Sequence, residues 1–240
     1  MIQKLLSLMR RAINDFDMIH SGDKIAVGVS GGKDSLALLQ LLCAYQKFSE
    51  HAFELCAVTV DMGFADSDFS PVERFCEELG VNYRREKTDI AEIIFDVRKE
   101  KNPCSLCAKM RRGALNSVIN EMSYNKLALG HHKNDVVDTF MLSLMFEGRL
   151  STFQPVSYMS RSDVTLIRPL VYVSEREIAG LAKTLPVCKN PCPADKRSQR
   201  EEMKKLLKDV AVKYPDVSVR IANAVMHPDR YNLWGMNKKQ

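Results

Sequence analysis

The stretch KIAVGVSGGKDSLALLQLL (residues 24–42) joins an apolar run to a leucine-rich segment through Gly31, Gly32 and Lys33. Residues 24–30 form a short run rich in apolar and β-branched residues, which is typical of a buried parallel strand. Leucines then recur at helical spacing over residues 34–46, which predicts a helix. A strand, a glycine-containing turn and a helix in this order predict an α/β fold with an anion site at the turn.

The same alternation continues along the chain, because further apolar runs are separated by segments with helical periodicity. The predicted strands are residues 53–61, 81–89, 126–131 and 164–170, and the predicted helices are residues 71–79, 136–148 and 201–214. Strands that alternate with helices indicate βαβ units. We therefore predict a Rossmann-like α/β fold, a parallel sheet with helices on both faces.

Three segments are expected along the 240-residue chain. Residues 1–20 form an amphipathic helix, residues 21–183 form the main domain, and residues 184–240 form a basic, cysteine-containing helical appendage. The N-terminal helix lacks the continuous apolar core and cleavage site of a signal peptide. No stretch reaches about 18 consecutive apolar residues, so we expect no membrane association. An odd cysteine count of 7, without a secretion signal, favours a reducing, cytoplasmic location.

The turn after the first predicted strand suits a phosphate group. Gly31 and Gly32 let the backbone approach an anion closely, and the amides that open the next helix point towards it. The Walker pattern fails because Val27 stands where its first glycine is required and Asp34 follows the lysine. The dinucleotide fingerprint fails as well, since Ser30 replaces a required glycine. Neither a Walker-type loop nor an NAD site fits these residues.

The cysteines fall into two groups. Cys43, Cys56 and Cys76 lie inside apolar patterns and are expected in the core. The other cysteines form two closely spaced pairs next to prolines and basic residues; they are Cys104, Cys107, Cys188 and Cys192. By residue type alone, two such pairs suit a four-cysteine zinc site.

SGGKDS after a strand resembles the PP-loop of the N-type ATP pyrophosphatases, which cleave ATP between its α and β phosphates. This resemblance implies the adenine nucleotide alpha hydrolase-like form of the Rossmann-like fold, with ATP and Mg²⁺ bound. The residues that it assigns to ATP are Ser30, Gly31, Gly32, Lys33, Asp34, Ser35, Asp61, Gly130 and His131. Among them, Asp34 is expected near Mg²⁺ and Asp61 near the adenosine.

Three further motifs narrow the resemblance: PCSLCAKMRRG (residues 103–113), GHHKNDVVDTFMLSLMFEG (130–148) and NPCPADKRSQRE (190–201). Together they are similar to the tRNA 2-thiocytidine synthetase subgroup. The subgroup implies a [4Fe-4S] cluster held by Cys104, Cys107 and Cys192, with Cys188 as a spare or a fourth ligand. It also implies an ATP-dependent tRNA sulfurtransferase that adenylates the C2 oxygen of a cytidine, at position 32 of the anticodon loop, and replaces that oxygen with sulfur.

The resemblance carries further roles onto this sequence. The catalytic residues that it implies are Lys33, Asp34, Asp135 and Arg111. The expected tRNA contacts follow instead from the clustering of basic residues, and they are Arg112, Lys196, Arg197 and Arg200. Many relatives have two acidic residues where this chain has Asn134 before Asp135. That difference puts in doubt any role that needs a pair of carboxylates and leaves Asp135 as the candidate contact.

The expected partners are tRNA, a cysteine desulfurase or other sulfur donor, and a second copy of the chain in a homodimer. Three alternatives stay open. One keeps the chemistry and changes the base, for example to uridine. Another is an amidation of the lysidine synthetase type, which needs no cysteine cluster. The last is a zinc-stabilised tRNA-binding protein without thiolation activity.

Overall fold

The computed structural model describes residues 2–100, 103–194 and 199–233, so the predicted tRNA contacts Lys196 and Arg197 lie outside the described residues. The strands are β1 (Lys24–Gly28), β2 (Glu54–Asp61), β3 (Asn82–Lys87), β4 (Lys126–Ala128), β5 (Val156–Met159) and β6 (Val164–Ile167). The helices are α1 (Ile2–Asp15), α2 (Lys33–Gln46), α3 (Ser70–Leu79), α4 (Pro103–Glu121), α5 (Lys133–Leu142), α6 (Glu175–Ala182), α7 (Gln199–Lys213) and α8 (Val217–Met226). Glu92–Val97 and Ser143–Glu147 are π-helical, and Pro228–Arg230 is a short 3₁₀ turn.

The strands form one sheet in the order β3-β2-β1-β4-β6-β5. Five of them run parallel, with Ala26 opposite Cys56 on one side and opposite Leu127 on the other. The Rossmann-like prediction is therefore confirmed. Strand order reverses between β1 and β4, and in open α/β sheets ligands bind at the carboxyl ends of the strands at such a switch point.

One strand departs from the prediction of a parallel sheet. β5 pairs with β6 in the antiparallel direction at the sheet edge. It is only four residues long and half-exposed, so its sequence has neither the length nor the apolar content that marks the buried strands. The predicted last strand is also shorter than expected, because β6 ends at Ile167 and a buried turn follows.

Helices cover both faces of the sheet. On one face, Val118 and Ile119 of α4 pack against Ala26, Cys56 and Leu127. On the other face, α2 contacts α1, α3 and α6. The N-terminal segment forms the expected amphipathic helix, and its apolar side is buried at Leu5, Leu6, Met9, Ala12 and Ile13. A parallel sheet needs this cover on both faces because its strands are apolar on both.

The chain divides into two units, of which the first comprises Met1–Lys133 with Gln154–Ser198 and contains the whole sheet. The second comprises Asn134–Phe153 with Gln199–Gln240, and its core includes Val137, Met203, Leu207 and Ala222. This division differs from the predicted boundary at residue 183, because residues 184–194 belong to the first unit. Among the described residues, no helix is long and apolar enough to cross a membrane.

A buried ion pair lies at the start of the sheet. Lys126 Nζ is 2.6 Å from Asp23 Oδ2, and both side chains are 8% exposed. Lys126 also donates to the Met18 carbonyl oxygen at 2.8 Å, and Asn125 donates to Asp23. Burial alone would raise the pKa of Asp23, but the hydrogen bonds from Lys126, the His20 amide and Asn125 outweigh it and lower the pKa below 3.8. The network joins the end of α1 to β4.

We expect Asp23→Asn to reduce the free energy of unfolding by about 3 kcal/mol at neutral pH, because it leaves the Lys126 ammonium buried without its counter-charge. A carboxyl whose folded pKa is lowered contributes stability above its unfolded pKa and loses it as the pH falls through the folded pKa. The difference between variant and wild type should therefore shrink as the pH falls below about 3.8. Urea unfolding at a series of pH values around 3.8 measures this difference in the free energy of unfolding, and the exposed Asp17→Asn serves as the control. A difference that does not change with pH would contradict the contribution assigned to the Asp23 carboxylate.

Candidate functional site

The loop between β1 and α2 is tied together by its own serines. The Ser30 amide donates to Ser35 Oγ at 3.1 Å, and Ser35 Oγ donates to the Gly32 carbonyl oxygen at 2.9 Å. Gly31 has a φ of +78°, in the left-handed region that favours glycine. Gly32 stands at the N-cap of α2, and no described side chain caps this helix. The first amides of α2 therefore lack an intrahelical partner and can bind an anion.

The end of β4 approaches the start of α2 closely. A Cβ placed on Gly130 would lie 2.8 Å from the Asp34 carbonyl oxygen and 3.0 Å from the Ser35 nitrogen. Any larger residue at position 130 would push against backbone, which cannot move aside as a flexible side chain can. Gly130 therefore lets the switch point between β1 and β4 close around the loop. The predicted ATP residues Ser30, Gly31, Gly32, Lys33, Asp34, Ser35 and Gly130 come together here.

Two carboxylates hold the Lys33 side chain. Lys33 Nζ lies 3.1 Å from both carboxylate oxygens of Asp34 and 3.0 Å from Glu175 Oε1. Burial alone would lower the pKa of Lys33, but the hydrogen bond to Glu175 and the charges of Asp34 and Glu175 raise it above 10.5. The lysine is therefore a fixed positive charge beside the uncapped helix N-terminus.

The position of Glu175 follows from the start of α6. Ser174 is the N-cap of this helix and forms a capping box with Glu177. Glu175 is the first helical residue, where the helix dipole favours a carboxylate. Glu177 pairs with Lys4 at 2.9 Å; burial opposes ionisation, but Lys4 and Ser174 lower the pKa of Glu177 to about 2. The cap therefore directs one acid towards Lys33 and the other towards α1.

Two histidines follow β4. His132 is buried, and its Nε2 lies 3.7 Å from Asp34 Oδ1. The predicted ATP residue His131 accepts a hydrogen bond at Nδ1 from Arg168 Nε at 3.3 Å, which requires the tautomer that carries its proton on Nε2. Arg168 is buried after β6, and burial together with the nearby charge of Arg112 lowers the pKa of Arg168 to about 10. Arg112 is exposed on α4.

Asp61 ends β2, and its carboxylate is already bound. Arg85 donates to Asp61 Oδ2 from Nη2 at 2.6 Å and from Nε at 3.0 Å, and the Gly63 amide donates to Oδ1 at 3.0 Å. The Asp61 side chain is 7% exposed. In this structure Asp61 anchors the chain that leaves β2, and its predicted contact with adenosine stays a prediction.

The three predicted cluster cysteines line one pocket. Its cavity volume is about 40 Å³, and its other walls are apolar residues from the chain after β2 and from residues 90–95, together with Pro103 and Ala194. Cys104 and Cys107 stand one helical turn apart on α4 and therefore share a face. Cys192 completes the set of thiols.

Electrostatics link the same groups. Burial raises the pKa of the Cys107 thiol, the neighbouring Cys192 and Cys104 raise it further, and Arg111 acts in the opposite direction through its charge and a hydrogen bond. Arg111 thus lies beside the thiols. Cluster ligands are thiolates, and a guanidinium next to them favours that form.

Cys188 lies elsewhere, against the loop after β1. Its amide donates to the Gly31 carbonyl oxygen at 2.9 Å, and a Cβ placed on Gly31 would lie 3.0 Å from Cys188 Cβ. Cys188 does not line the pocket of the other three thiols. Cys188 and Cys192 are close in sequence, but only Cys192 lines the pocket with Cys104 and Cys107.

The chemistry of this donor set is compatible with an iron–sulfur cluster. Within the described ranges, no three His, Cys, Asp or Glu side chains are close enough to hold one metal ion. Tetrahedral zinc requires sulfur ligands that converge to about 2.3 Å from one point. A [4Fe-4S] cluster takes each thiolate on a different iron, so its ligands stand further apart. Cys104, Cys107 and Cys192, which line one pocket beside Arg111, are the thiols that would hold such a cluster.

Two predicted residues pair with each other in the second unit. Arg200 Nη1 lies 3.2 Å from Asp135 Oδ1, and Arg200 Nη2 donates to Thr139 Oγ1 at 3.1 Å. Asp135 is in the first turn of α5 and Arg200 is in the first turn of α7. The ion pair joins these two helices within the unit.

Sequence reasoning missed three charged residues of the first unit: Arg85, Arg168 and Glu175. The motif Ser174-x-x-Glu177 signals a helix start, which could have placed Glu175 at a helix N-terminus. Its contact with Lys33 spans 142 residues and has no local signal.

Comparisons with known proteins agree with the geometry. The family described as "PP-loop domain" matches residues 3–208. The tRNA-cytidine(32) 2-sulfurtransferase of Syntrophotalea carbinolica is 39% identical over 230 residues, 94% of this chain and 89% of the relative. The protein of the same name from Geobacter sulfurreducens is 38% identical over 93% of this chain and 89% of its own length.

Two solved structures extend the comparison. The U34-tRNA thiolase NcsA from Methanococcus maripaludis, determined with its [4Fe-4S] cluster, is 28% identical with a TM-score of 0.77, covering 99% of this chain and 81% of that one. The NH3-dependent NAD synthetase from Campylobacter jejuni is 15% identical with a TM-score of 0.51, covering 98% and 99% of the two chains. The second likeness concerns the fold alone.

We expect Glu175→Gln to lower the pKa of Lys33, because the glutamine still accepts the hydrogen bond but no longer carries the charge. NMR titration of the lysine side-chain resonances measures this pKa. The matched control is Glu177→Gln, which keeps a residue suited to the capping box and faces Lys4 instead of Lys33. Equal effects of the two substitutions would contradict a specific Lys33–Glu175 pair.

Proposed function

This chain belongs to the PP-loop domain family and, within it, to the tRNA-cytidine(32) 2-sulfurtransferases, and we propose that it replaces the C2 oxygen of cytidine 32 in tRNA with sulfur in an ATP-dependent reaction. One observation carries the proposal. The uncapped helix beside Lys33 and a pocket lined by Cys104, Cys107 and Cys192 occur in the same unit. The first suits a polyphosphate and the second suits an iron–sulfur cluster.

The first step activates the base. The C2 oxygen of cytosine attacks the α phosphorus of ATP, the bond from that phosphorus to the bridging oxygen breaks, and pyrophosphate leaves with the electron pair. Lys33 and the amides of α2 offset the charge that develops on the leaving group. Asp34 is the carboxylate that would hold Mg²⁺, which in nucleotide sites is usually bound by one or two carboxylates and the phosphates themselves.

The second step introduces sulfur. A sulfur nucleophile adds to C2, and AMP departs with the former C2 oxygen, so that a good leaving group replaces a poor one. When bound, a [4Fe-4S] cluster held by three thiols keeps one iron free of protein ligands, where sulfur can be held for transfer. Arg111, beside Cys107, is proposed to contact AMP or the base. Asp61 and His131 are proposed on the nucleotide, and Asp135 as a substrate contact.

The tRNA is proposed to bind through its phosphates and one unstacked base. Arg112, Lys196, Arg197 and Arg200 are the proposed phosphate contacts. An anticodon-loop base is unpaired and can enter a pocket at small cost. Arg200 pairs with Asp135 in the protein alone, so a phosphate would compete with a carboxylate for its guanidinium.

Further partners are part of the proposal. Sulfur comes from a cysteine desulfurase or another donor, and free thiols at the pocket favour a reducing compartment such as the cytoplasm. A homodimer is supported by large apolar side chains exposed on the second unit. They are Leu144, Met145, Phe146 and Leu150.

Cysteine substitutions separate the cluster ligands from Cys188. We expect Cys104→Ala, Cys107→Ala and Cys192→Ala each to lose the visible absorption and bound iron of anaerobically reconstituted protein. Cys188→Ala should retain both, because Cys188 does not line the pocket. Iron, sulfide and zinc analysis makes the measurement. A colourless wild type with one zinc per chain would favour the zinc-stabilised tRNA-binding alternative.

Lys33→Ala tests the use of ATP. Loss of the ammonium at the leaving pyrophosphate should reduce 2-thiocytidine formation by about a hundredfold or more, with tRNA binding retained. Mass spectrometry of tRNA nucleosides and filter binding provide the two readouts. The control is Lys47→Ala, an exposed lysine at the other end of α2. Unchanged modification by the Lys33 variant would contradict the mechanism.

The same assays distinguish the remaining alternatives. A thiolated uridine in place of 2-thiocytidine would retain the chemistry and change the base. An amidation of the lysidine synthetase type would leave no thiolated nucleoside, and its activity would survive Cys104→Ala.

A further inference from the structure

The chain between Cys188 and Cys192 touches both halves of the proposed site. We call residues 188–192 the strap. At its first residue, the Cys188 amide donates to the Gly31 carbonyl oxygen at 2.9 Å. A Cβ placed on Gly31 would lie 3.0 Å from Cys188 Cβ and 3.3 Å from its Sγ. We call the loop between β1 and α2, residues 29–32, the phosphate loop. Cys188 therefore packs directly on its backbone at Gly31, whose φ is +78°.

The last residue of the strap lies in the cysteine pocket. Cys192 lines this pocket with Cys104 and Cys107. Four residue steps of fully extended chain span at most about 14 Å, so the two ends of the strap cannot move far apart. The interior is restricted too: the Cys192 amide donates to Asn190 Oδ1 at 3.2 Å, and Pro191 has a fixed φ.

We propose that the strap couples cluster loading to nucleotide binding, with Cys188 as a positioning residue for the phosphate loop and not a cluster ligand. The inference rests on the proposed function. A metal bond at Cys192 fixes one end of a short, restricted segment. The other end then holds the Gly31 carbonyl, so the loop loses less conformational freedom when ATP binds.

Coupling of this kind acts in both directions. If a loaded pocket strengthens nucleotide binding, a bound nucleotide must stabilise the loaded pocket by the same factor. The position of Cys188 agrees with a role outside the cluster, since it packs on Gly31 and does not line the pocket of the other three thiols.

The test is the dissociation constant of Mg²⁺ with α,β-methylene-ATP, which cannot be cleaved at the α–β bond, measured by anaerobic calorimetry. Cluster-loaded and cluster-free wild type should differ by about tenfold, inside the 5- to 150-fold range of ordinary couplings. In Pro191→Gly the loosened strap should reduce the ratio to about twofold or less. The control is Pro193→Gly, the same substitution one residue beyond the strap, which should keep the wild-type ratio.

A second measurement tests reciprocity without activity. Loss of visible absorption on exposure to an iron chelator should be slower with the analogue bound in wild type and in Pro193→Gly, but not in Pro191→Gly. Equal dissociation constants for loaded and cluster-free wild type would overturn the coupling and leave the proposed function intact. Failure of wild type to bind the analogue or to assemble a cluster would overturn the proposed function, and the coupling with it.

Discussion

The close approach of Gly130 to the backbone of Asp34 and Ser35 is the constraint on which the site depends. A Cβ on Gly130 would come within 2.8–3.0 Å of three backbone atoms, so the chain that leaves β4 and the start of α2 can meet only at a glycine. Their contact closes the switch point of the sheet around the phosphate loop. Burial of the apolar strands stabilises the fold, and the Gly130 contact fixes the position of the amides at the N-terminus of α2.

Carboxylates outnumber the ammonium group at this point. Lys33 stands between Asp34 and Glu175, so one cation lies at hydrogen-bonding distance from two anions. A bare polyphosphate would meet net negative charge there. Under the proposed function, Mg²⁺ bound with the nucleotide would reverse this balance, because Asp34 would be its ligand and Lys33 would then be available to the phosphates. The arrangement therefore favours the metal complex of ATP over the free anion.

Features that depend on residues close together in the sequence could be predicted, and contacts between residues far apart in the sequence could not. The βα unit around SGGKDS and the Cys104–Cys107 pair depend on neighbours within a few residues, so periodicity and spacing were enough to predict them. Strand β5 was missed because a short edge strand has a weak pattern. Glu175 meets Lys33 across 142 residues, and no local pattern encodes such a contact. Of the two C-terminal cysteines, Cys188 packs on Gly31 and Cys192 lines the cysteine pocket. This difference depends on the path of the chain between them, which composition does not reveal.

Asp61 shows how one half-buried ion pair serves two parts of the molecule. Arg85 and the Gly63 amide bind its carboxylate, and the Asp61 carbonyl oxygen accepts from the Thr88 amide at 2.9 Å. The next residue, Met62, accepts from the Ala91 amide at 2.8 Å and lines the cysteine pocket, where Cys107 Sγ lies 3.5 Å from its sulfur. β1 leads into the phosphate loop, and β2 leads into Met62 at the wall of the cysteine pocket. Because β1 and β2 pair directly, the loop and this wall rest on neighbouring strands. Under the proposed function, this shared support would help to keep an activated base close to a sulfur source.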